Sequence, residues 1–284
     1  MGAPQLLAPM MELVVFDLDG TLLNGKSQVS SHTRETLQLL RERDIAYTVA
    51  TGRTLHASRD LLEGHGFALP HIYKNGVVIW RPENDDYSHS NLLTNNEIRV
   101  VVEAFLSVDV TPFIFTIEPG NHHAVYHPPL RNDVERQLVK VFGHDRGLAV
   151  CPVGDMPADA DITNISALGA PEAIGSVATV VEAEPHLVAY AGTAMEGEEW
   201  HWIDVHHSAA SKGGAIETLK SDLGVSRVIC FGDSENDLSM FAMADECYAP
   251  SNAKDPVKAA ATAIIGHHDE DGISRFLRER FGLS

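Results

Sequence analysis

The sequence predicts an α/β protein with a parallel sheet, interrupted by an inserted α+β segment, and two observations favour this fold class. At both ends of the chain, short runs rich in Val, Ile and aromatic residues alternate with amphipathic stretches of helical length, which is typical of βαβ units. In the middle this alternation is lost, and a polar stretch, "RPENDDYSHSN", precedes the change. We therefore predict a core of residues 1–81 and 199–284 and an inserted domain of residues 82–198.

The first part of the core is predicted to contain two strand–helix pairs followed by a hairpin. These elements are a strand at 11–16, a helix at 31–43, a strand at 45–50, a helix at 55–63 and a hairpin at 71–80. Ser31 and Glu35 lie in the first turns of the first helix, as is typical of a helix start. The hairpin is predicted from Asn75-Gly76, a dipeptide strongly favoured between two antiparallel strands.

The inserted domain and the second part of the core are predicted from the same patterns. In the insertion we expect helices at 97–107, 130–142 and 173–183 and strands at 113–117, 124–127, 161–168 and 186–191. In the core we expect strands at 200–205 and 227–231, helices at 212–223 and 235–244, a last strand and a closing helix. The aromatic residues Phe113, Phe115 and Tyr126 are more typical of a core than of a surface that stacks on a substrate.

Composition excludes some classes of partner. The 284 residues carry a formal net charge of -19, which argues against binding to nucleic acid or to an anionic membrane. An anionic substrate must then be held by local positive groups. The chain has no run of about 18 apolar residues, and the first ten residues lack the features of a secretory signal. The three cysteines have no CxxC spacing and suit a reducing compartment, so we expect a cytoplasmic protein.

Residues able to do chemistry follow the predicted core strands or begin a core helix. They are Asp17 and Asp19 after the first strand, Thr51, Gly52 and Arg53 after the second, Lys212 at a helix start, and Asp233, Asn236 and Asp237 after the strand at 227–231. Ligands of parallel α/β sheets bind beyond the carboxyl ends of the strands, so these residues are expected at one crevice. In an extended backbone, Asp17 and Asp19 would face the same side.

These residue types suit phosphoryl transfer. Carboxylates from two strand ends can hold Mg²⁺, while a lysine and a hydroxyl at a helix start can bind a phosphate group. One carboxylate can attack phosphorus, and a second can act as general acid and base. To be half protonated at pH 7, this second carboxyl group needs a pKa about three units above that of a free Asp, which corresponds to roughly 4 kcal/mol. An isolated D-x-D would be typical of a loop. A calcium loop counted from Asp17 is excluded because Leu22 stands where glycine is required and Gln28 where glutamate is required.

The stretches "DLDGTLL", "ATGR" and "GDSENDLSM", together with Lys212, resemble the four motifs of the haloacid dehalogenase (HAD) superfamily, in the Cof-type branch with a subclass IIB cap. The resemblance implies a Rossmann-like core and an inserted cap. It implies that Asp17 is the nucleophile and Asp19 the general acid and base. It further implies Mg²⁺ held by Asp17, Asp233 and the backbone carbonyl of Asp19, phosphate bound by Thr51, Gly52, Lys212 and Asn236, and support from Asp237, Arg53 and Asn75. The sequence departs from the family at Pro250 and Ser251, ahead of Asn252, where a Met is frequent.

The function expected from this pattern is a Mg²⁺-dependent phosphomonoesterase that acts on a small phosphorylated metabolite through an aspartyl phosphate. A phosphomutase or phosphotransferase using the same intermediate is an alternative, and a metabolite-binding regulator without turnover is a further one. The histidine pairs at 122–123, 206–207 and 267–268 are interpreted as surface or loop residues, with a transition-metal site as the competing interpretation.

Overall fold

The computed structural model describes residues 11–89, 91–118, 122–145, 148–194 and 197–284. The chain divides into two compact units. Unit 1 consists of Met1–Asp85 and Ser211–Ser284, and unit 2 of Asp86–Ala210. The first ten residues of the predicted core segment lie outside the described part of the chain.

The first half of unit 1 follows the predicted order of elements. It contains β1 (Glu12–Phe16), α1 (Ser31–Glu42), β2 (Ala46–Val49), α2 (Leu55–Leu62), β3 (His71–Tyr73) and β4 (Val78–Arg81). The side chain of Ser30 accepts a hydrogen bond from the backbone N–H of Thr33 and so caps α1, and Thr54 caps α2 in the same way. β3 and β4 pair in antiparallel fashion across a short turn at Lys74–Gly76, so the hairpin predicted from Asn75-Gly76 is confirmed.

Unit 2 is richer in strands than the sequence analysis predicted. Its elements are β5 (Asp86–His89), α3 (Asn95–Ser107), β6 (Phe113–Glu118), β7 (His122–His127), α4 (Asp133–Lys140), β8 (Ala149–Pro152), β9 (Asp161–Gly169), α5 (Pro171–Glu182), β10 (Leu187–Ala194) and β11 (Gly197–His207). The strands β5 and β8 were not predicted. Both have only four residues. β5 (DYSH) lacks the apolar run on which the prediction of strands depends, and the apolar run of β8 (AVCP) is too short to distinguish a strand from a loop.

The second half of unit 1 completes the core. Its elements are α6 (Lys212–Leu223), β12 (Arg227–Phe231), α7 (Leu238–Met243), β13 (Glu246–Pro250), α8 (Asp255–Ala260), β14 (Ala263–Ile265) and α9 (Gly272–Phe281). The predicted helix at 235–244 is shorter than expected, because a single 3₁₀ turn at Glu235–Asp237 precedes it. The single last strand of the prediction is a pair of strands, β13 and β14.

The five-stranded sheet of unit 1 is parallel in every pairing, in the order β14-β13-β12-β1-β2. Alternate residues of β1 enter two apolar clusters, since Val14 and Phe16 belong to one cluster and Leu13 and Val15 to the other. Both faces of this interior strand are therefore covered, which explains why β1 reads as a continuous apolar run. The fold class predicted from the sequence is confirmed.

The sheet of unit 2 has the order β10-β11-β9-β6-β7-β8 and is antiparallel except between β7 and β8. One apolar cluster packs α3 and α5 onto the sheet, and it includes Phe105, Val177 and Ile203. The aromatic side chains predicted to be core residues are buried: Phe113, Phe115 and Tyr126 are at most 4% exposed.

The strand predicted at 200–205 belongs to unit 2 rather than to the core. It is the central part of β11, which pairs with β10 on one side and with β9 on the other. The structure accordingly divides the chain after Asp85 and after Ala210, whereas the sequence-based divisions lay after residues 81 and 198. Within the described residues, no helix has the length and apolar character that crossing a membrane requires.

Candidate active site

Three neighbouring strands of unit 1 end at the candidate site. Asp233 lies just beyond β12, Asp17 directly follows β1, and Thr51 follows β2. The backbone N–H of Asp17 donates to the carbonyl of Phe231 at 2.9 Å, and the N–H of Ala50 donates to the carbonyl of Phe16 at 2.9 Å. These bonds continue the parallel ladders past the strand ends, so the three residues leave the sheet at one edge.

Lys212, the first residue of α6, joins two carboxylates at this edge. Its Nζ donates to Oδ1 of Asp17 at 2.6 Å and to Oδ1 of Asp237 at 2.5 Å. The lysine side chain is fully buried. Burial alone disfavours its charged form, but the attraction of the two carboxylates outweighs burial and raises the pKa of Lys212. Lys212 was assigned to phosphate binding from the sequence, and in the structure it also contacts the predicted nucleophile.

The carboxylates outnumber the cations in this cluster. Burial raises the pKa of Asp17 well above its ordinary value, with further contributions from Asp237 and Asp233 that the charge of Lys212 opposes. Burial and the charge of Asp237 likewise raise the pKa of Asp233. Three carboxylates therefore face one ammonium group, and a second cation would stabilise their ionised forms.

The donor set fits a hard divalent cation. Carboxylate oxygens of Asp17, Asp233 and Asp237 lie within 4.8 Å of one another. Both oxygens of Asp237 already have partners, since Oδ1 accepts from Lys212 and Oδ2 accepts from the backbone N–H groups of Asp233 and Ser234 at 2.8 and 3.0 Å. The oxygens of Asp233 accept longer bonds from two hydroxyl groups, those of Thr21 at 3.3 Å and Ser234 at 3.1 Å, which can rotate away from an ion. Asp17 and Asp233 are therefore the better placed ligands, and Asp237 orients its neighbours. All-oxygen donors of this kind suit Mg²⁺.

The loop after Asp17 lies against Asp233. Gly20 has a φ of +72°, and a Cβ at this position would lie 2.5 Å from Oδ2 of Asp233. Only glycine combines this backbone conformation with such a close approach. The hydroxyl of Thr21 donates to Oδ1 of Asp233 at 3.3 Å, and the amide of Asn252 donates to the carbonyl of Gly20 at 2.8 Å.

Asp17 and Asp19 do not share one environment. The strand ends at Phe16 and the chain turns over Leu18–Leu22, so the extended geometry assumed in the sequence analysis is wrong beyond Asp17. Asp19 instead forms a bidentate ion pair with Arg53, with both N–O distances at 2.6 Å. The Asp19 side chain is 54% exposed, whereas that of Asp17 is 8% exposed. Hydrogen bonding to Asp19 raises the pKa of Arg53.

The hairpin turn at Lys74–Gly76 places Asn75 against a third part of the site. The backbone N–H of Asn75 donates to the carbonyl of Thr51 at 3.0 Å, and its side-chain oxygen accepts from the amide of Asn236 at 2.9 Å. A Cβ on Gly52 would lie 3.2 Å from the same Asn75 oxygen. Asn75 thus lies beside both Gly52 and Asn236, two of the residues assigned to phosphate binding from the sequence.

All ten predicted site residues lie in unit 1, and the structure links them in two connected groups. One group contains Asp17, Lys212, Asp233 and Asp237, and the other contains Thr51, Gly52, Asn75 and Asn236. The remaining two residues, Asp19 and Arg53, form an ion pair with each other. The sequence analysis did not assign Thr21 or Asn252. Thr21 directly follows Gly20 within "DLDGTLL", so its position beside the acidic pair was the available signal.

Comparison with known proteins identifies the family of this chain. A family model described as haloacid dehalogenase-like hydrolase matches residues 14–277. The chain is similar to 5-amino-6-(5-phospho-D-ribitylamino)uracil phosphatase YitU of Bacillus subtilis, with 28% identity over 280 residues that cover 95% of this chain and 98% of that protein. It is also similar to pyridoxal phosphate phosphatase YbhA of Escherichia coli, with 26% identity over 279 residues that cover 93% of this chain and 97% of that protein.

Among solved structures, the fold is similar to that of the HAD subclass IIB sugar phosphatase BT4131. The TM-score is 0.73 at 21% identity, and the match covers 96% of this chain and 100% of the other. The resemblance to the Cof-type, subclass IIB branch is confirmed by the family model and by this likeness in fold. The chain belongs to the haloacid dehalogenase-like hydrolase family and is a phosphatase of the HAD type.

Proposed function

We propose that the protein is a Mg²⁺-dependent phosphomonoesterase that hydrolyses a small phosphorylated metabolite in the cytoplasm through an aspartyl phosphate. The observation that carries the proposal is the buried contact of Lys212 with Asp17 and Asp237 beside Asp233. A carboxylate can attack a phosphate monoester only where cations offset the repulsion of two anions. One ammonium and a site for a divalent cation meet this requirement.

In the first step, a carboxylate oxygen of Asp17 attacks phosphorus, and the bond from phosphorus to the leaving oxygen breaks. Asp19 gives its proton to that oxygen, so the alcohol leaves neutral and Asp17 carries the phosphoryl group. In the second step, water attacks phosphorus and gives a proton to Asp19. The bond to Asp17 breaks, and inorganic phosphate is released with the enzyme restored. Asp19 must exchange its contact with Arg53 for the leaving oxygen during this cycle.

Other residues bind and orient the phosphoryl group. Thr51, Gly52, Lys212 and Asn236 are proposed to hold its oxygens through the Thr hydroxyl, a backbone N–H, the ammonium and the amide. Asp237 holds Lys212 toward Asp17, and Asn75 holds the amide of Asn236. The carboxylates of Asp17 and Asp233 and the backbone carbonyl of Asp19 would hold Mg²⁺, which supplies positive charge to offset the transferring phosphoryl oxygens.

The substrate class follows from the relatives rather than from the site. YitU and YbhA are named for phosphorylated ribitylaminouracil and pyridoxal phosphate, and BT4131 is named a sugar phosphatase. We propose a sugar phosphate or a phosphorylated cofactor as substrate. The inserted domain, predicted at residues 82–198, is proposed to select the leaving group, because the motif residues are assigned to the phosphoryl group, to the cation, to proton transfer or to orienting these groups, and none is assigned to the rest of the substrate.

The proposal is tested by phosphate release from an aryl phosphate with Mg²⁺ and with a chelator. We expect turnover only with Mg²⁺, and loss of turnover in Asp17→Asn, which preserves size but removes the nucleophile. Turnover that persists in Asp17→Asn would contradict the mechanism. A panel of phosphorylated metabolites then identifies the substrate. Transfer of phosphate to a second metabolite, rather than release to water, would indicate a mutase or phosphotransferase, and binding without turnover a regulator.

A further inference from the structure

Within the described residues, two separate groups of side chains could converge on a metal ion. One consists of Asp17, Asp233 and Asp237, which we call the acidic cluster. The other consists of His267, His268 and Asp269, in the loop between β14 and α9. Each residue of the second group offers one ligand atom, and these atoms lie within 4.8 Å of one another. We propose that His267, His268 and Asp269 form a second cation site, selective for a divalent transition metal such as Zn²⁺. This inference is independent of the proposed function.

The hydrogen bonds of His268 define which ring nitrogen is available. Its Nδ1 lies 2.7 Å from the backbone carbonyl of Leu23, which can only accept, so Nδ1 carries the proton. In the neutral ring, Nε2 then presents a lone pair. That nitrogen lies 3.8 Å from Oδ2 of Asp269, so a lone pair faces a carboxylate. A cation between the two atoms would remove this repulsion, and a carbonyl-bound Nδ1–H is the usual second contact of a metal-binding histidine.

A backbone contact holds the carboxylate of Asp269 beside this nitrogen. Its other oxygen, Oδ1, accepts a hydrogen bond from the backbone N–H of Gly25. A Cβ at Gly25 would lie 3.0 Å from the Asp269 carboxylate, so the absence of a side chain allows the close approach. Asp269 thus offers Oδ2 to an ion while Oδ1 keeps its backbone partner.

His267 supplies the third donor through Nδ1. This nitrogen accepts a hydrogen bond from the backbone N–H of Asp269 at 3.2 Å, and an ion bound there takes the place of that bond. Its ring centroid lies 4.8 Å from that of His268, at an interplanar angle of 37°. Ligand atoms around a tetrahedral Zn²⁺ with bonds of 2.0–2.2 Å lie about 3.3–3.6 Å apart. The 3.8 Å between Nε2 of His268 and Oδ2 of Asp269 is within a small side-chain rotation of that spacing.

The two groups differ in the metal they suit. Two imidazoles and one carboxylate favour Zn²⁺, Cu²⁺ or Ni²⁺, whereas the acidic cluster offers only oxygen and favours Mg²⁺. Three protein ligands leave room for water at the ion. An ion at this site would join the segment at 23–25, which follows the loop of the nucleophile, to the segment at 267–269. We therefore expect it to stabilise the folded protein.

The test is calorimetric titration of Zn²⁺ into the full chain in excess Mg²⁺, in the wild-type protein and in an Asp233→Asn background that weakens the acidic cluster. We expect one Zn²⁺ per chain in both, and binding at least about tenfold weaker in His267→Asn, His268→Asn and Asp269→Asn. Asparagine at 268 can still donate to the Leu23 carbonyl, and asparagine at 269 can still accept from Gly25, so these variants retain the hydrogen bonds of the loop.

The control is His122→Asn, which removes a histidine that lies 3.3 Å from the carboxylate of Glu118 in unit 2. Its Zn²⁺ affinity should equal that of the parent. Zn²⁺ should also raise the thermal midpoint of the Asp233→Asn protein but not that of the same protein carrying His268→Asn. Equal affinity in all variants would show adventitious binding only, and loss of Zn²⁺ binding in Asp233→Asn alone would assign the ion to the acidic cluster. Either result overturns the proposal.

Discussion

Lys212 stabilises the acidic cluster and also takes part in its proposed chemistry. Its ammonium is fully buried and donates to Asp17 and Asp237. A buried ion pair adds little net stability when compared with an apolar replacement of the whole pair. Removing one partner is different, because it leaves the other charge buried without compensation.

We therefore predict that Lys212→Met lowers the free energy of unfolding by about 3–5 kcal/mol in the absence of Mg²⁺. The matched control is Lys254→Met, since Lys254 also forms a short ion pair, with Glu235, but its side chain is 54% exposed. Its effect should stay within about 1 kcal/mol. Chemical denaturation measures both values. Adding Asp17→Asn to Lys212→Met should restore part of the loss, and equal effects of the two single lysine substitutions would contradict the argument.

At the residue scale, position after a strand predicted which residues lie together at the edge of the sheet, but it did not predict the direction of each side chain. Asp17, Thr51 and Asp233 could be found because polar residues that follow buried strands are conspicuous, and parallel strands end at one edge. The divergence of Asp19 from Asp17 could not be found, because it depends on where the strand stops and on the position of Arg53. Only the folded chain brings Arg53 within reach of Asp19.

At the scale of elements, the β3–β4 hairpin packs against the start of α6. A Cβ on Gly76 would lie 2.1 Å from the backbone carbonyl oxygen of Ser211, the residue before Lys212. The same turn carries Asn75, which contacts Asn236. The hairpin thus positions one side of the site through a contact between two backbones. Backbone atoms cannot move aside by rotating, as the end of a side chain can.

Gly76→Ala is predicted to destabilise the protein by clearly more than Gly64→Ala and to weaken phosphate binding. Both glycines have positive φ, +101° and +76°, so both substitutions carry a backbone strain of about 1–3 kcal/mol. A Cβ at Gly64 meets no atom within 4 Å, so the collision with Ser211 is the main difference between the two variants. Thermal denaturation and competitive inhibition by inorganic phosphate measure the two effects. Equal stability of the variants would show that the contact is not rigid.

For the strand β11, the sequence pattern predicted the strand but not the sheet to which it belongs. Its existence was predicted, but its sheet was not, because its place in the chain suggested a resumed core. The local pattern differs from that of β1, since Ile203 and Val205 are buried while Trp202 and Asp204 are more exposed. Alternation of this kind is typical of an antiparallel strand with one covered face. A continuous apolar run is typical of a parallel strand that is buried on both faces. The pairing with β10 and β9 agrees with this distinction.

At the scale of the whole molecule, negative charge is in excess both overall and within the site. The formal net charge is -19, and the acidic cluster sets three carboxylates against one buried lysine. Self-repulsion of this kind weakens the folded state, and a bound divalent cation relieves it where it is most concentrated. Stability, pH and Mg²⁺ are therefore expected to be linked.

The direction of that linkage follows from the raised pKa values of Asp17 and Asp233. A carboxyl group whose pKa is raised on folding contributes stability below its unfolded pKa, and this contribution is lost as pH rises through the folded value. Other groups act in the opposite direction. Arg280 lowers the pKa of Glu246 to about 2, and burial lowers that of His71 to about 4, so both favour folding at higher pH.

We predict that the rise in thermal midpoint produced by Mg²⁺ is small at about pH 5 and increases steadily toward about pH 8, because Mg²⁺ binds the deprotonated carboxylates. The measurement is the difference between midpoints with Mg²⁺ and with a chelator at each pH. Glu246 and His71 contribute equally to both conditions, so their effects cancel in this difference. Asp233→Asn should remove most of the Mg²⁺ effect at every pH. A Mg²⁺ effect that is independent of pH, or that survives in Asp233→Asn, would place the cation elsewhere on the acidic surface.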